Sequence, residues 1–154
     1  MQRRAPTARR RGARELSSES RREFPKIPIG AEFRVEKTIP PEWTISAYDP
    51  RLPSVFSTPA MISMMEVAAA KAVQPHLPAE MITVGTRIEV DHLKAAPVGA
   101  LVWAAARLVS QDGRLLIFEV EAGAAGKIIG RGRVFRAIVE PKSFSAKASA
   151  RSSP

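Results

Sequence analysis

The chain has 154 residues, 45% of them hydrophobic, which suffices for one domain with a sizeable core and is too short for two ordinary ones. It has no cysteine and only two histidines, His76 and His92, without a clustered set of acidic partners. Disulfides, thiolate zinc sites and a cysteine nucleophile are therefore excluded, no metal or other cofactor site is expected, and no apolar run approaches the ~18–20 residues that cross a bilayer.

The net charge of +9 suggests a nucleic-acid partner until it is divided along the chain. Met1–Glu23 carries eight arginines against three glutamates, a net +5, and Lys142–Pro154 carries three cations and no acid, a net +3. The stretch between them holds 13 cations and 12 acids. The basic character lies in the two ends, so a basic face suited to duplex binding is not expected on the domain. The expectation is a soluble, cytoplasmic protein with no membrane partner and no nucleic-acid partner beyond weak tail binding.

Met1–Glu23 has almost no large apolar residue and is expected to be a disordered basic extension. It lacks the apolar region of a secretory signal, and Glu15, Glu19 and Glu23 argue against a transit peptide. Glu32–Ile39 alternates Phe33, Val35 and Ile39 with charged residues and predicts a first strand. Pro40–Pro53 holds four prolines and predicts a loop over the domain surface.

Ser57–Thr58–Pro59 then gives a helix start, a hydroxyl N-cap followed by proline in the first turn. The 14 residues AMISMMEVAAAKAV that follow suit a helix ending near Pro75. Its polar residues are only Ser63, Glu66 and Lys71, so the helix is expected to be buried on most sides.

Four strand-like runs follow: Met81–Leu93, Ala100–Ser110, Arg114–Glu121 and Lys127–Val139. Asp112–Gly113 marks a tight hairpin and Ala122–Gly126 a turn. In the first run Val84, Thr86, Ile88, Val90 and His92 share one face, and Gly85, Arg87, Glu89 and Asp91 the other. Gly130 and Gly132, in phase with Ile128, Val134 and Ile138, are expected to let a helix pack closely on the sheet. Ser145–Pro154 is expected to be a disordered small-residue tail.

Among residues that carry chemistry, Glu66 stands out. Its helical neighbours at three and four positions are Ile62, Ser63, Ala69 and Ala70, so no cation is available for an ordinary surface pair, and Lys71, five residues on, lies about 140° around the helix. It lies either on a narrow solvent-facing stripe or in a cleft, as a nucleophile or general base. Thr58 is accounted for as a capping residue, and the same helix end suits a developing oxyanion. His92 closes the apolar face of its strand and is structural or catalytic. Gly85 signals a bulge or a close approach by a ligand or another backbone. Arg131 and Arg133 face outward beside Lys127, as a solvated face or as phosphate contacts. Neither a dinucleotide fingerprint, a P-loop, a nucleophile elbow nor a zincin motif is present.

The segments VFSTPAMISMMEVAAAKAVQPHL, TVGTRIEVDHLKAAPVG and SQDGRLLIFEVEA, in that order, resemble the fluoroacetyl-CoA thioesterase-like branch of the hot-dog-fold thioesterases. The resemblance runs over Ile29–Phe144. It implies an α+β hot-dog fold, an antiparallel sheet wrapped around one central helix, and a homodimer with active sites at the subunit interface. It also implies hydrolysis of an acyl-CoA thioester, with Thr58, Glu66 and His92 catalytic and Gly85 and Phe56 against the substrate. The loop Ala47–Phe56 does not clearly reproduce the aromatic lid of the specialised enzyme, so the acyl group is left open. The alternative is a hot-dog module that binds acyl-CoA or a partner without hydrolysing it.

Overall fold

A computed structural model describes residues 23–150. Most of the expected basic extension, and the last four residues, lie outside the described residues. Five strands form one antiparallel sheet: β1 (Glu32–Thr38), β2 (Ile82–His92), β3 (Leu101–Asp112), β4 (Leu115–Ala124) and β5 (Lys127–Val139). Their order is β1-β3-β4-β5-β2, so β1 and β2 are the free edges. The helix α1 (Thr58–Val73) lies on one face of this sheet. The arrangement is the α+β hot-dog fold.

The sheet can wrap the helix because three of its pairings are interrupted. Register shifts occur between Gly85 and Arg87, between Leu108 and Ser110, and between Ala122 and Gly123. Each inserts an unpaired residue that bends its strand and sharpens the twist. The hairpin from β4 to β5 turns through Ala125 and Gly126, whose positive φ values of 50° and 72° match a primed two-residue turn.

The core forms where the small residues of α1 meet the sheet. Met61, Met65, Ala68, Ala69 and Ala72 are buried against Val102, Ala104, Ala106 and Leu108 of β3 and Leu116, Phe118 and Val120 of β4. Alanines on both helix and strand bring the backbones close, and Phe118 fills the remaining volume. The opposite face of the sheet is charged. Glu32, Arg107, Glu119, Arg133 and Glu89 stand side by side across all five strands in alternating sign. Such a row keeps the uncovered face hydrated and makes lateral pairs, as in Arg107–Glu119 at 3.1 Å.

Several expectations are corrected. Ser145–Ala150 is not a disordered tail: Pro141–Ala150 forms a second helix, α2, crossing the expected domain boundary at Phe144. Proline at its start and its alanines and lysines favour helix, a preference that the small-residue composition concealed. Strand β4 runs on through Ala124, so the expected turn from Ala122 is shorter. Gly130 does admit the helix, since a Cβ there would meet the Met61 sulfur. Gly132 instead meets the backbone of Glu89 and Val90 on β2. As expected, α1 is buried on most sides; Ser63, Val67 and Lys71 alone form a narrow open stripe beyond its first turn, with Val67 43% exposed.

Candidate active site

The start of α1 is held by the loop before it. Phe56 donates its N–H to Ala96 O at 2.7 Å, Ser57 donates to Trp43 O at 2.9 Å, and Trp43 stacks on Phe56 with ring centres 6.4 Å apart. Ser57, not Thr58, is the N-cap: its Oγ accepts from Ala60 N at 3.3 Å. Both residues are good caps, and the chain uses the earlier one. The Thr58 hydroxyl is thereby free, and it lies 2.8 Å from His92 Nδ1.

His92 is the last residue of β2. Phe56, 2% exposed, meets its ring edge-on with centroids 6.4 Å apart. Among the described residues, His92 Nε2 is a buried side-chain nitrogen without a hydrogen-bond partner. Thr58, His92 and Phe56 line a recess of ≈ 290 Å³ together with Ile45, Val55 and Lys94. A hydroxyl on imidazole at a helix N-terminus can orient a carbonyl and relay a proton.

A second cluster lies further along α1. The carboxylate of Glu66 sits directly over Gly85, where a Cβ would collide with its Oε1. Arg136 Nη1 donates to the same oxygen at 3.2 Å. Arg136 is buried to 7% exposure on β5 and is paired in register with Gly85. It also donates from Nε to Thr83 Oγ1 at 2.9 Å and from Nη2 to Thr83 O at 2.8 Å. Burial pulls its pKa below the ordinary guanidinium value, and the negative charge of Glu66 opposes that fall. The Glu66 side chain is 34% exposed, so water reaches the carboxylate.

Glu66 has no cation at pairing distance on its own helix, as expected; the cation comes from the sheet. Arg136 escaped the sequence reading although a signal was present, since it falls in the alternation phase of Val134 and Ile138, both core residues. The expected faces of β2 are also corrected. Gly85 and His92 are seven residues apart and would point oppositely in a regular strand. The bulge between Gly85 and Arg87 turns both toward α1. His76 is exposed in a short turn after α1. Arg131 and Arg133 face away from the helix, opposite Glu121 and Glu119.

The two clusters do not meet within one chain. Thr58 and Glu66 are eight residues apart on α1, a rise of about 12 Å. One thioester carbonyl cannot touch both. Among the described residues there is no group of three or more potential metal ligands, and no helix is long and apolar enough to cross a membrane.

Residues 39–142 match the model of a family described as fluoroacetyl-CoA-specific thioesterase. The chain belongs to this family. It is 34% identical to the fluoroacetyl-CoA thioesterase of Streptantibioticus cattleyicolor, over 77% of this chain and 90% of that protein. A solved structure of the fluoroacetyl-CoA thioesterase FlK superimposes with a TM-score of 0.76 at 32% identity, covering 84% of this chain and 99% of that one. A thioesterase superfamily member from Thermus thermophilus gives 0.76 at 29% identity, over 81% and 93%. The fluoroacetyl-CoA-specific thioesterase family thus contains a chain in which Thr58 pairs with His92, and Glu66 with Arg136. The protein is an enzyme, a thioesterase.

Proposed function

We propose that the protein hydrolyses an acyl-CoA thioester to the free acid and CoA, with Glu66 as the reacting carboxylate and with each active site completed by a second copy of the chain. The observation that carries this reading is the Glu66 carboxylate, held over a residue without a side chain and bonded through one oxygen to a buried arginine. Among the described residues no protein group bonds its other oxygen, Oε2. That oxygen is free to attack the thioester carbonyl or to take a proton from water. In either case the C–S bond breaks in the collapse of a tetrahedral oxyanion; after direct attack, water then cleaves the acyl–Glu66 anhydride, releasing the acid and restoring the carboxylate. Thr58 orients the thioester and the Thr58–His92 pair delivers a proton toward the departing thiolate.

The roughly 12 Å between Thr58 and Glu66 supports a homodimer. Strand β2 carries both Gly85 and His92 and, among the described residues, presents an unpaired edge of 11 residues. Ile88, 36% exposed on that strand, and Val67 on the open stripe of α1 add apolar surface beside it. A twofold pairing along this edge sets the Glu66 of one copy toward the Thr58–His92 recess of the other. The fluoroacetyl-CoA named for the relatives is one candidate substrate within the acyl-CoA class.

The test is an acyl-CoA panel from acetyl to aromatic and long-chain thioesters, with CoA release as the readout. Glu66→Ala is expected to abolish release while remaining folded; wild-type turnover in that variant would remove Glu66 from the reaction. Tight binding across the panel without any CoA release would instead indicate a binding module. Mixing inactive Glu66→Ala with inactive His92→Ala subunits examines the shared site. A heterodimer then holds one site with both wild-type groups, and activity returns only if the two groups come from different copies.

A further inference from the structure

Arg136 reaches Glu66 with a single nitrogen, so some other contact must decide where that nitrogen points. Register places Arg136 opposite Gly85, and Thr83 stands two residues earlier on the same strand, buried like the arginine. The Thr83 hydroxyl accepts from Nε at 2.9 Å, and its carbonyl accepts from Nη2 at 2.8 Å. These two bonds grip one edge of the planar guanidinium, as a two-point fork does. A planar group held at two points on one edge cannot swing in its own plane. Held at the carbonyl alone, it pivots. The two-point grip aims the remaining nitrogen, Nη1, at Glu66 Oε1, 3.2 Å away.

We infer that Thr83 is a positioning residue for thioester hydrolysis: its hydroxyl fixes the Arg136 guanidinium, which in turn fixes the Glu66 carboxylate over Gly85. The inference rests on the proposed role of Glu66 as the reacting carboxylate. Thr83 touches neither the carboxylate nor the recess at Thr58, so its effect passes through Arg136. Threonine suits a strand on propensity alone, and its methyl packs as valine would. The hydroxyl is the atom that separates positioning from packing.

Two substitutions divide the side chain accordingly. Thr83→Val keeps the β-branched shape and removes the hydroxyl; Thr83→Ser keeps the hydroxyl and removes the methyl. Displacement of a reacting group by about 1 Å can lower a rate by about 10²-fold. We expect kcat in Thr83→Val to fall by about tenfold or more with KM nearly unchanged, and Thr83→Ser to retain most of kcat. A merely structural role predicts no such ordering, because serine loses the packing that valine keeps. If Thr83→Val does not fold, Thr83→Ala against Thr83→Ser gives the same comparison. Wild-type kcat in the variant lacking the hydroxyl, beside an inactive Glu66→Ala, overturns the role of Thr83 alone. An active Glu66→Ala overturns both.

Discussion

Alanine at position 85 asks whether the site depends on a missing side chain. Gly85 does not have the left-handed backbone found at Gly30, Gly99, Gly113 and Gly126, so alanine meets no conformational barrier there. Its Cβ would overlap Glu66 Oε1 and lie 3.2 Å from Glu66 Cδ and 3.7 Å from Arg136 Nη1. The atom that must yield is the tip of a flexible side chain, so the fold absorbs the change. Ordinary contact requires Oε1 to retreat by about 1 Å or more. Its bond to Arg136 is already 3.2 Å long, near the outer limit for N–H···O, and retreat breaks it. Two small effects on stability then oppose each other. Replacing glycine contributes about 0.4–1 kcal/mol through the unfolded chain. Loss of the ion pair costs about 1 kcal/mol once discounted for the one-third exposure of Glu66. The melting temperature is expected to move by less than about 5 °C. Hydrolysis is expected to fall by about 10²-fold, because the carboxylate is displaced by about an ångström. Thiol release from acyl-CoA, measured beside thermal denaturation, reads both quantities. Wild-type kcat/KM at an unchanged melting temperature would refute the placement of the working carboxylate over Gly85.

Ser57→Ala removes the N-cap bond to Ala60 and should lower stability by about 1 kcal/mol, seen as a lower urea midpoint; an unchanged midpoint would show that the cap contributes nothing. Ile88→Asp places a charge beside the free β2 edge. Under the proposed assembly it converts a dimer into monomers by light scattering and removes activity, and a dimer that persists would locate the interface elsewhere.

Much of the fold was legible because its signals are local. The Ser57–Thr58–Pro59 start and the alanine-rich run define α1 from neighbouring residues alone, and alternation locates the strands. Thr58 was assigned the cap because Ser and Thr are both good caps one position apart, and only tertiary contacts decide between them. The faces of β2 were misjudged because strict alternation across the seven-residue separation between Gly85 and His92 is broken by one bulged residue. Gly85 carried the signal for that bulge, but a glycine does not say which side chain will occupy the space above it. Arg136 was hidden for a different reason. A cation in a strand is ordinarily solvated, and its burial becomes visible only when β5 is set in register with β2, across a separation of 51 residues between Gly85 and Arg136. The alternation of β5 places Arg136 in phase with Val134 and Ile138, but that phase does not say which residue of β2 or α1 it meets.

The energetics of that pairing bear on its purpose. Arg136 lies on a strand face whose neighbours in phase, Val134 and Ile138, are core residues. Burial already pulls its guanidinium below the ordinary pKa, and the charge of Glu66 only partly offsets that. Water reaches the Glu66 end of the pair, and an ion pair open to solvent contributes at most about 1 kcal/mol to a fold. The fold therefore does not require a cation at position 136, a carboxylate at 66 or a bare backbone at 85. Each departs from what packing alone would favour, and together they fix one carboxylate oxygen while leaving the other unbonded by any of the described residues. Departures from local consistency that converge on a single reactive atom are characteristic of a site kept for chemistry. Under the proposed function that atom is Glu66 Oε2.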